Sequence, residues 1–271
     1  MEATATATLD RRTKSRETKS RLPTTSPVRR RPAAKRVLTA VPSWKRALDV
    51  SLVVMTLPIS IMLIVAVALW IRLVSRGPAL FLQKRVGHGE KLFTIFKFRT
   101  MHEGAPTRNH ELHVARLVES DRPLIKLDEL GDARLIPGAC FLRSTGLDEL
   151  PQLFNVLRGE MSLVGPRPCI PGEHGFFTSA QRERFQVLPG LTGLWQVNGK
   201  NRTTFREMAA LDVAYARRSS LGLDLIVIFR TPMALLGEMK QCFQRRFLTS
   251  DAEPAEEPML SYARQRFGDR S

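Results

Sequence analysis

The chain has 271 residues, enough for one large domain with appendages, and carries 42 Lys and Arg against 26 Asp and Glu, a formal charge of +16. The excess is uneven: residues 1–46 hold +10 of it and the rest of the chain only +6. Three cysteines, Cys140, Cys169 and Cys242, show no C-x-x-C spacing, which argues against a disulfide framework and a zinc site and fits a reducing compartment.

Residues 1–43 are rich in Thr, Ser, Pro and Ala and have no apolar periodicity. Such a segment cannot bury enough surface to offset the entropy of ordering, so the sequence predicts a disordered basic tail. It has charge but no apolar stretch before Val37, so it is not a signal peptide. A tail of this charge suits nucleic acid or anionic lipid equally well.

From Val50 to Ile71 the chain reads "VSLVVMTLPISIMLIVAVALWI", 22 residues without a charge. That length can cross a bilayer core, which takes about 20 residues. Two features favour a different path. Lys45 and Arg46 precede the run and Arg72 and Arg76 follow it, so neither end has a reason to be translocated. Pro58 lies inside it, removing a backbone donor. A helix over residues 44–76, broken at Pro58 and re-entering the leaflet it left, satisfies both, with Thr56 or Ser60 hydroxyls serving the freed backbone.

After Gly77-Pro78, "ALFLQKRVGHGEKLFTIFKFRTM" reads as two strands around a Gly-His-Gly-Glu turn. Period two places Phe93, Ile95, Lys97 and Arg99 on one face of the second strand. Residues 103–136 are polar, with a helix expected over His110–Ser120 and a surface Asp128-Glu129 pair. The histidines, His88, His102, His110, His113 and His174, form no metal-ligand spacing. Near the C-terminus Leu223–Phe229 and Met233–Cys242 mix apolar clusters with Arg230 and Lys240, as an element of the core or of an interface would. Residues 246–271 read as a loose tail.

The most informative stretch is "STGLDELPQLFNVLRGEMSLVGPRP", residues 144–168. Leu150, Leu153, Phe154 and Leu157 have the spacing of one helix face, Gly159 supplies a stop, and Pro151 is tolerated in a first turn. Asp148 and Glu149 then open the helix, where acidic residues are common as caps. Arg167 between Pro166 and Pro168 is different, because a stiff loop presents a planar, bidentate phosphate binder. An ionised carboxylate, a second one for a metal ion, and a ring of Arg143, Arg167, Lys97 and Arg99 make a phosphoryl-transfer site. An apolar segment beside such a site suggests that one substrate is a lipid phosphate.

In this order and spacing, "KRALDV", "GPALFLQKRVG", "FTIFKFRTM", "LDELPQLFNVLRGEMSLVGPRP", "PGLTGLWQVNGK" and "LDVAYARRSSLGLDLIVIF" resemble the bacterial sugar transferases of the monotopic phosphoglycosyl transferase superfamily, from about Trp44 to Leu236. The resemblance implies an α/β (α+β) catalytic domain, here residues 77–245, on the cytoplasmic face of the bacterial inner membrane, anchored by a re-entrant helix broken at a Ser-Pro. Leu57-Pro58 stands at that place, keeping the proline and lacking the serine. It also implies transfer of a sugar-1-phosphate from a UDP-sugar to polyprenyl (undecaprenyl) phosphate in exopolysaccharide assembly, with release of UMP. By the same resemblance Asp148 is the nucleophile of a ping-pong reaction and Glu149 its Mg2+ partner. Arg143 and Arg167 bind phosphate, Lys97 and Arg99 form a basic strand, and Asp212 and Tyr215 match a D-x-x-Y motif that holds the site. The transferred sugar has no selector that the sequence names, and a homo-oligomer is compatible with it. Two other functions fit parts of the chain: an inactive assembly scaffold, which the intact Asp148-Glu149 and Arg167 oppose, and a membrane-tethered nucleic-acid binder, which lacks aromatic-basic interleaving.

Overall fold

The computed structural model describes residues 40–102, 123 and 134–248. The basic tail, the expected helix over His110–Ser120, the Asp128-Glu129 pair and the C-terminal tail lie outside them. The elements in chain order are α1 (Ser43–Val74), β1 (Leu80–Val86), β2 (Leu92–Phe98), α2 (Ala139–Thr145), α3 (Leu153–Leu157), β3 (Ser162–Val164), α4 (Pro171–His174), β4 (Gly190–Thr192), α5 (Leu194–Val197), α6 (Phe205–Arg218) and α7 (Leu221–Leu248). Among the described residues the strands form two small sheets, an antiparallel β1–β2 hairpin and a parallel β3–β4 pair. Helices and irregular backbone build the rest, so the domain is α+β and not a continuous wound sheet.

The break expected at Pro58 is absent: α1 is one helix from Ser43 to Val74 and stays helical through the proline. The proline leaves the Val54 carbonyl without its usual donor. The Thr56 hydroxyl donates instead to Leu52 O (2.8 Å) and Val53 O (3.2 Å), one turn earlier. Its buried residues, Lys45, Asp49, Val53, Ser60, Val67 and Ile71, recur at helical spacing along almost the whole element. The opposite face shows Val54, Met55, Ile59, Met62, Val65, Leu69 and Leu73. One stripe, polar near its start and apolar toward its end, is therefore consumed by the protein, and an apolar one is left to the surroundings.

Both ends of α1 are anchored in the same domain. Lys45 Nζ donates to Asp224 Oδ2 (2.6 Å), Tyr215 Oη (2.9 Å) and Val164 O (2.9 Å). Asp49 Oδ1 accepts from Ser162 Oγ (2.9 Å) and Leu163 N (3.0 Å). At the far end Val67 and Ile71 pack with Phe98, Ile136, Ala139 and Leu142. The Arg99 guanidinium donates to Arg76 O and to Ser75 O (3.1 Å), where the helix has run out of its own donors.

The Pro-Arg-Pro loop is fixed by close backbone packing. A Cβ on Gly165 would lie 2.3 Å from Leu188 O, and one on Gly190 would lie 2.1 Å from Gly165 N. Only glycine permits the end of β3 and the start of β4 to approach this closely. Gly190 N donates to Pro166 O (2.9 Å), which tethers the loop one residue before Arg167.

Candidate active site

The acidic pair does not open an α-helix. Leu147–Gln152 is a 3-10 helix, with Gly146 in the left-handed region ahead of it (φ 73°) and α3 only beginning at Leu153. This shifts the faces: Phe154, expected in the core with Leu150 and Leu157, is 48% exposed, while Asn155 and Val156 are buried. Asn155 is the positioning device that the sequence reading missed. Its Oδ1 accepts from Phe96 N (3.2 Å) and its Nδ2 donates to Thr94 O (2.8 Å) and Glu160 Oε2 (2.7 Å). One side-chain amide thus takes the place of a partner strand on the free edge of β2, and docks the acidic turn against the hairpin.

That docking brings Asp148 to Lys97, with Oδ2 and Nζ 2.8 Å apart. Asp148 is 3% exposed, so its counter-charge comes chiefly from this ammonium. Glu149 is half-buried, and among the described residues no cation lies within ion-pair distance of it. Its charge is nonetheless felt by Arg85 and Arg167.

Arg85 is a second residue that the sequence reading missed. In the hairpin register Arg85 pairs with Phe93, Gln83 with Ile95 and Phe81 with Lys97, so Arg85 and Lys97 share one face. Arg85 donates to Pro168 O (3.0 Å) and Gln83 Oε1 (2.6 Å), while its Nε is buried without an acceptor. Burial and the neighbouring Arg167 push its guanidinium down to about 10, against the pull of Glu173 and Glu149. Two guanidiniums that disfavour each other's charge, one with an unused buried donor, form a place that an anion would relieve.

Arg167 is held by Glu173, with Nη1 3.2 Å from Oε2, and that carboxylate raises its proton affinity further. Glu173 also accepts from Ile170 N (3.1 Å). Behind the loop, the fully buried Arg184 donates to Arg167 O (2.7 Å) and pairs with Asp212. Burial pushes the Asp212 carboxyl up to about 6 even though Arg184 and Arg167 oppose it.

The expected residues therefore divide. Asp148 pairs with Lys97, and the adjacent Glu149 lies within electrostatic reach of Arg85 and Arg167. Arg143 stands in the last turn of α2, its Nε donating to Thr100 Oγ1 (2.8 Å). Arg99, Asp212 and Tyr215 are engaged elsewhere. Arg99 serves the end of α1, Asp212 supports the Arg167 loop through Arg184, and Tyr215 donates to Asp224 Oδ1 (2.6 Å) beneath Lys45. They act by holding elements in place. The expectation against disulfides is corrected as well: Cys140 of α2 and Cys242 of α7 are bonded, with Cα atoms 6.3 Å apart.

Among the described residues no three or more His, Cys, Asp or Glu side chains could hold a metal by themselves. Mg2+ commonly takes only one or two carboxylates, with substrate phosphates and water completing its octahedron. Adjacent Asp148 and Glu149 carboxylates beside Lys97 fit that requirement.

Residues 40–238 match the bacterial sugar transferase family. The chain belongs to that family. It is 38% identical over 222 residues to a UDP-glucose:undecaprenyl-phosphate glucose-1-phosphate transferase of Caulobacter vibrioides, covering 79% of this chain and 78% of that one. It is 35% identical over 189 residues to the exopolysaccharide production protein ExoY of Sinorhizobium fredii, covering 69% of this chain and 83% of the relative. Against the galactosyl transferase CpsE of Streptococcus agalactiae the identity is 40% over 163 residues, 59% of this chain and only 35% of the other. This sugar transferase is thus about as long as some relatives and matches only a part of others.

Proposed function

We propose that this sugar transferase moves a sugar-1-phosphate from a UDP-sugar to polyprenyl phosphate in two steps on Asp148. The observation that carries the reading is the buried Asp148–Lys97 pair, next to Glu149, whose charge reaches the guanidiniums of Arg85 and Arg167. In the first step an Asp148 oxygen bonds to the β-phosphorus of the donor. The bond from that phosphorus to the bridging oxygen breaks, and UMP leaves with the electron pair. In the second, an oxygen of the acceptor lipid's phosphate bonds to the same phosphorus and releases the Asp148 carboxylate. Lys97, Arg85 and Arg167 bind and orient the phosphates throughout. Glu149 and Asp148 are the residues that would hold Mg2+, which supplies charge neutralisation on the diphosphate. Relatives named for undecaprenyl-phosphate sugar transfer support the reaction class.

The same reading places the domain on the cytoplasmic face of the inner membrane, with the exposed stripe of α1 turned to the lipid. The buried stripe from Lys45 to Ile71 supports it, because a helix crossing the bilayer would carry a polar domain in with it. Helix α7 supports it independently. It is tied near its start to the entry of α1 by Lys45–Asp224. Gly138, at the start of α2, lies against Trp70 near the exit of α1. Its outward residues are Ile226, Phe229, Arg230, Met233, Leu236, Lys240 and Phe243, apolar with two cations, as a helix lying on an anionic bilayer requires.

The test is mass spectrometry of the full-length protein given a UDP-sugar without lipid. One equivalent of UMP and a phosphosugar on the Asp148 peptide are expected. Release of UMP only after polyprenyl phosphate is added, with no adduct, would establish a direct displacement instead.

A further inference from the structure

The hairpin has a second face. Opposite Lys97 and Arg85, Leu80 and Phe96 turn toward α1, and with Ile64, Pro151, Phe154 and Arg158 they line a cleft of about 210 Å³. Leu80 is 43% and Phe154 48% exposed, large apolar surfaces that the core does not use. Ile64 belongs to the charge-free run of α1, so the cleft is continuous with the segment assigned to the bilayer. Arg158 lies over the Phe96 ring at 5.0 Å, and among the described residues no carboxylate pairs with it. Phe96 adjoins Lys97 in sequence, and Pro151 stands one 3-10 turn beyond Asp148.

We infer that this cleft holds the first isoprene units of the acceptor lipid, with Arg158 at its rim matching the charge of the lipid's phosphate. The inference rests on the reaction proposed above and adds to it the seat of the acceptor. A cavity of about 150 Å³ lined by apolar side chains takes a six-carbon ring, so the cleft is large enough for roughly one or two five-carbon units. The rest of a polyprenyl chain would remain along the exposed stripe of α1. Pro151 of the cleft belongs to the same 3-10 turn as Asp148, so a lipid phosphate at the rim stands next to the acidic turn and can be passed to Lys97 and Asp148.

The test uses the full-length protein in nanodiscs, with Phe154→Ala, Leu80→Ala and Arg158→Gln as variants; Phe154 and Leu80 are exposed enough that the fold should tolerate them, and melting curves check it. Steady-state kinetics should show KM for undecaprenyl phosphate raised at least about tenfold in Phe154→Ala, with KM for the UDP-sugar unchanged. A photoreactive polyprenyl phosphate should label the peptide containing Phe154, and undecaprenyl phosphate should compete where phosphatidylglycerol does not. Unchanged lipid KM in all three variants, or equal competition by phosphatidylglycerol, would overturn the assignment. A wild-type protein that releases no UMP from any UDP-sugar would instead overturn the reaction itself.

Discussion

Lys97 Nζ and Asp148 Oδ2 stand 2.8 Å apart, joining the middle of the hairpin to the acidic turn across an otherwise buried contact. The pair sets both the place of the carboxylate and its counter-charge. Lys97→Met should leave Asp148 buried without a cation, lowering turnover by at least about a hundredfold and stability by roughly 3 kcal/mol. Lys97→Arg should retain the fold and a part of the rate. Turnover of UDP-sugar by Lys97→Met at the wild-type rate would make the pair a structural tie only.

The Arg167 loop should discriminate charge from shape. Arg167→Lys keeps the cation but loses the planar fork, so the rate should fall at least about tenfold, roughly 1.4 kcal/mol of transition-state binding. Arg85→Gln should lower activity too, although it removes the repulsion between Arg85 and Arg167. Phosphate-analogue inhibition constants for both variants provide the measurement, and inhibition unchanged in both would remove the two guanidiniums from the phosphate site.

Asn155 should be more costly to lose than its size suggests. Asn155→Ala leaves Phe96 N and Thr94 O on the β2 edge without their partner, a loss of about 2–3 kcal/mol for buried groups left unsatisfied. The melting temperature should fall, and turnover should fall with it, because the acidic turn is no longer docked. Thermal unfolding followed by assays well below the transition would separate the two effects.

The cysteines should label in two classes. Burial pushes the Cys169 thiol up to about 11, and it has no exposed surface. A folded-state pKa raised this far keeps the thiol protonated, so its alkylation should stay negligible from pH 7 to 9. An ordinary thiol instead gains reactivity as pH climbs toward about 8.5. Cys140 and Cys242 should label only after reduction, and Cys169 only after unfolding. Rapid native labelling of Cys169 would show that the loop after Arg167 opens.

How much of this was legible in the sequence depended on the reach of each signal. The hairpin and the apolar run follow from periodicities that fit within a few residues, and they stand in the structure. Asp148, Glu149 and Arg167 stood out because carboxylate pairs and proline-flanked arginines are unusual locally. Arg85 did not, because its role comes from a hairpin register and from the return of the chain 83 residues later at Pro168. The Cys140–Cys242 bond, 102 residues apart, leaves no local trace. Arg99 was misjudged for a related reason: strand alternation gave its face, but not that the frayed end of α1 would claim its guanidinium. Phe154 was placed inside by a 3.6-residue period that begins only at Leu153, after the 3-10 turn containing Pro151.

The bond network under Lys45 bears on how such a protein can be made. Tyr215 donates to Asp224, Asp224 pairs with Lys45, and Lys45 belongs to the first turn of the long apolar helix α1. Trimming that segment away to obtain a detergent-free catalytic fragment would strand a buried carboxylate, a loss of about 3–5 kcal/mol, against the 5–15 kcal/mol that typically separates a folded domain from its unfolded chain. The anchor is therefore an internal part of the enzyme. A shortened chain that keeps Lys45 and Asp49 keeps these ties, so the boundary of any catalytic fragment falls beyond the first two turns of α1 and not before them.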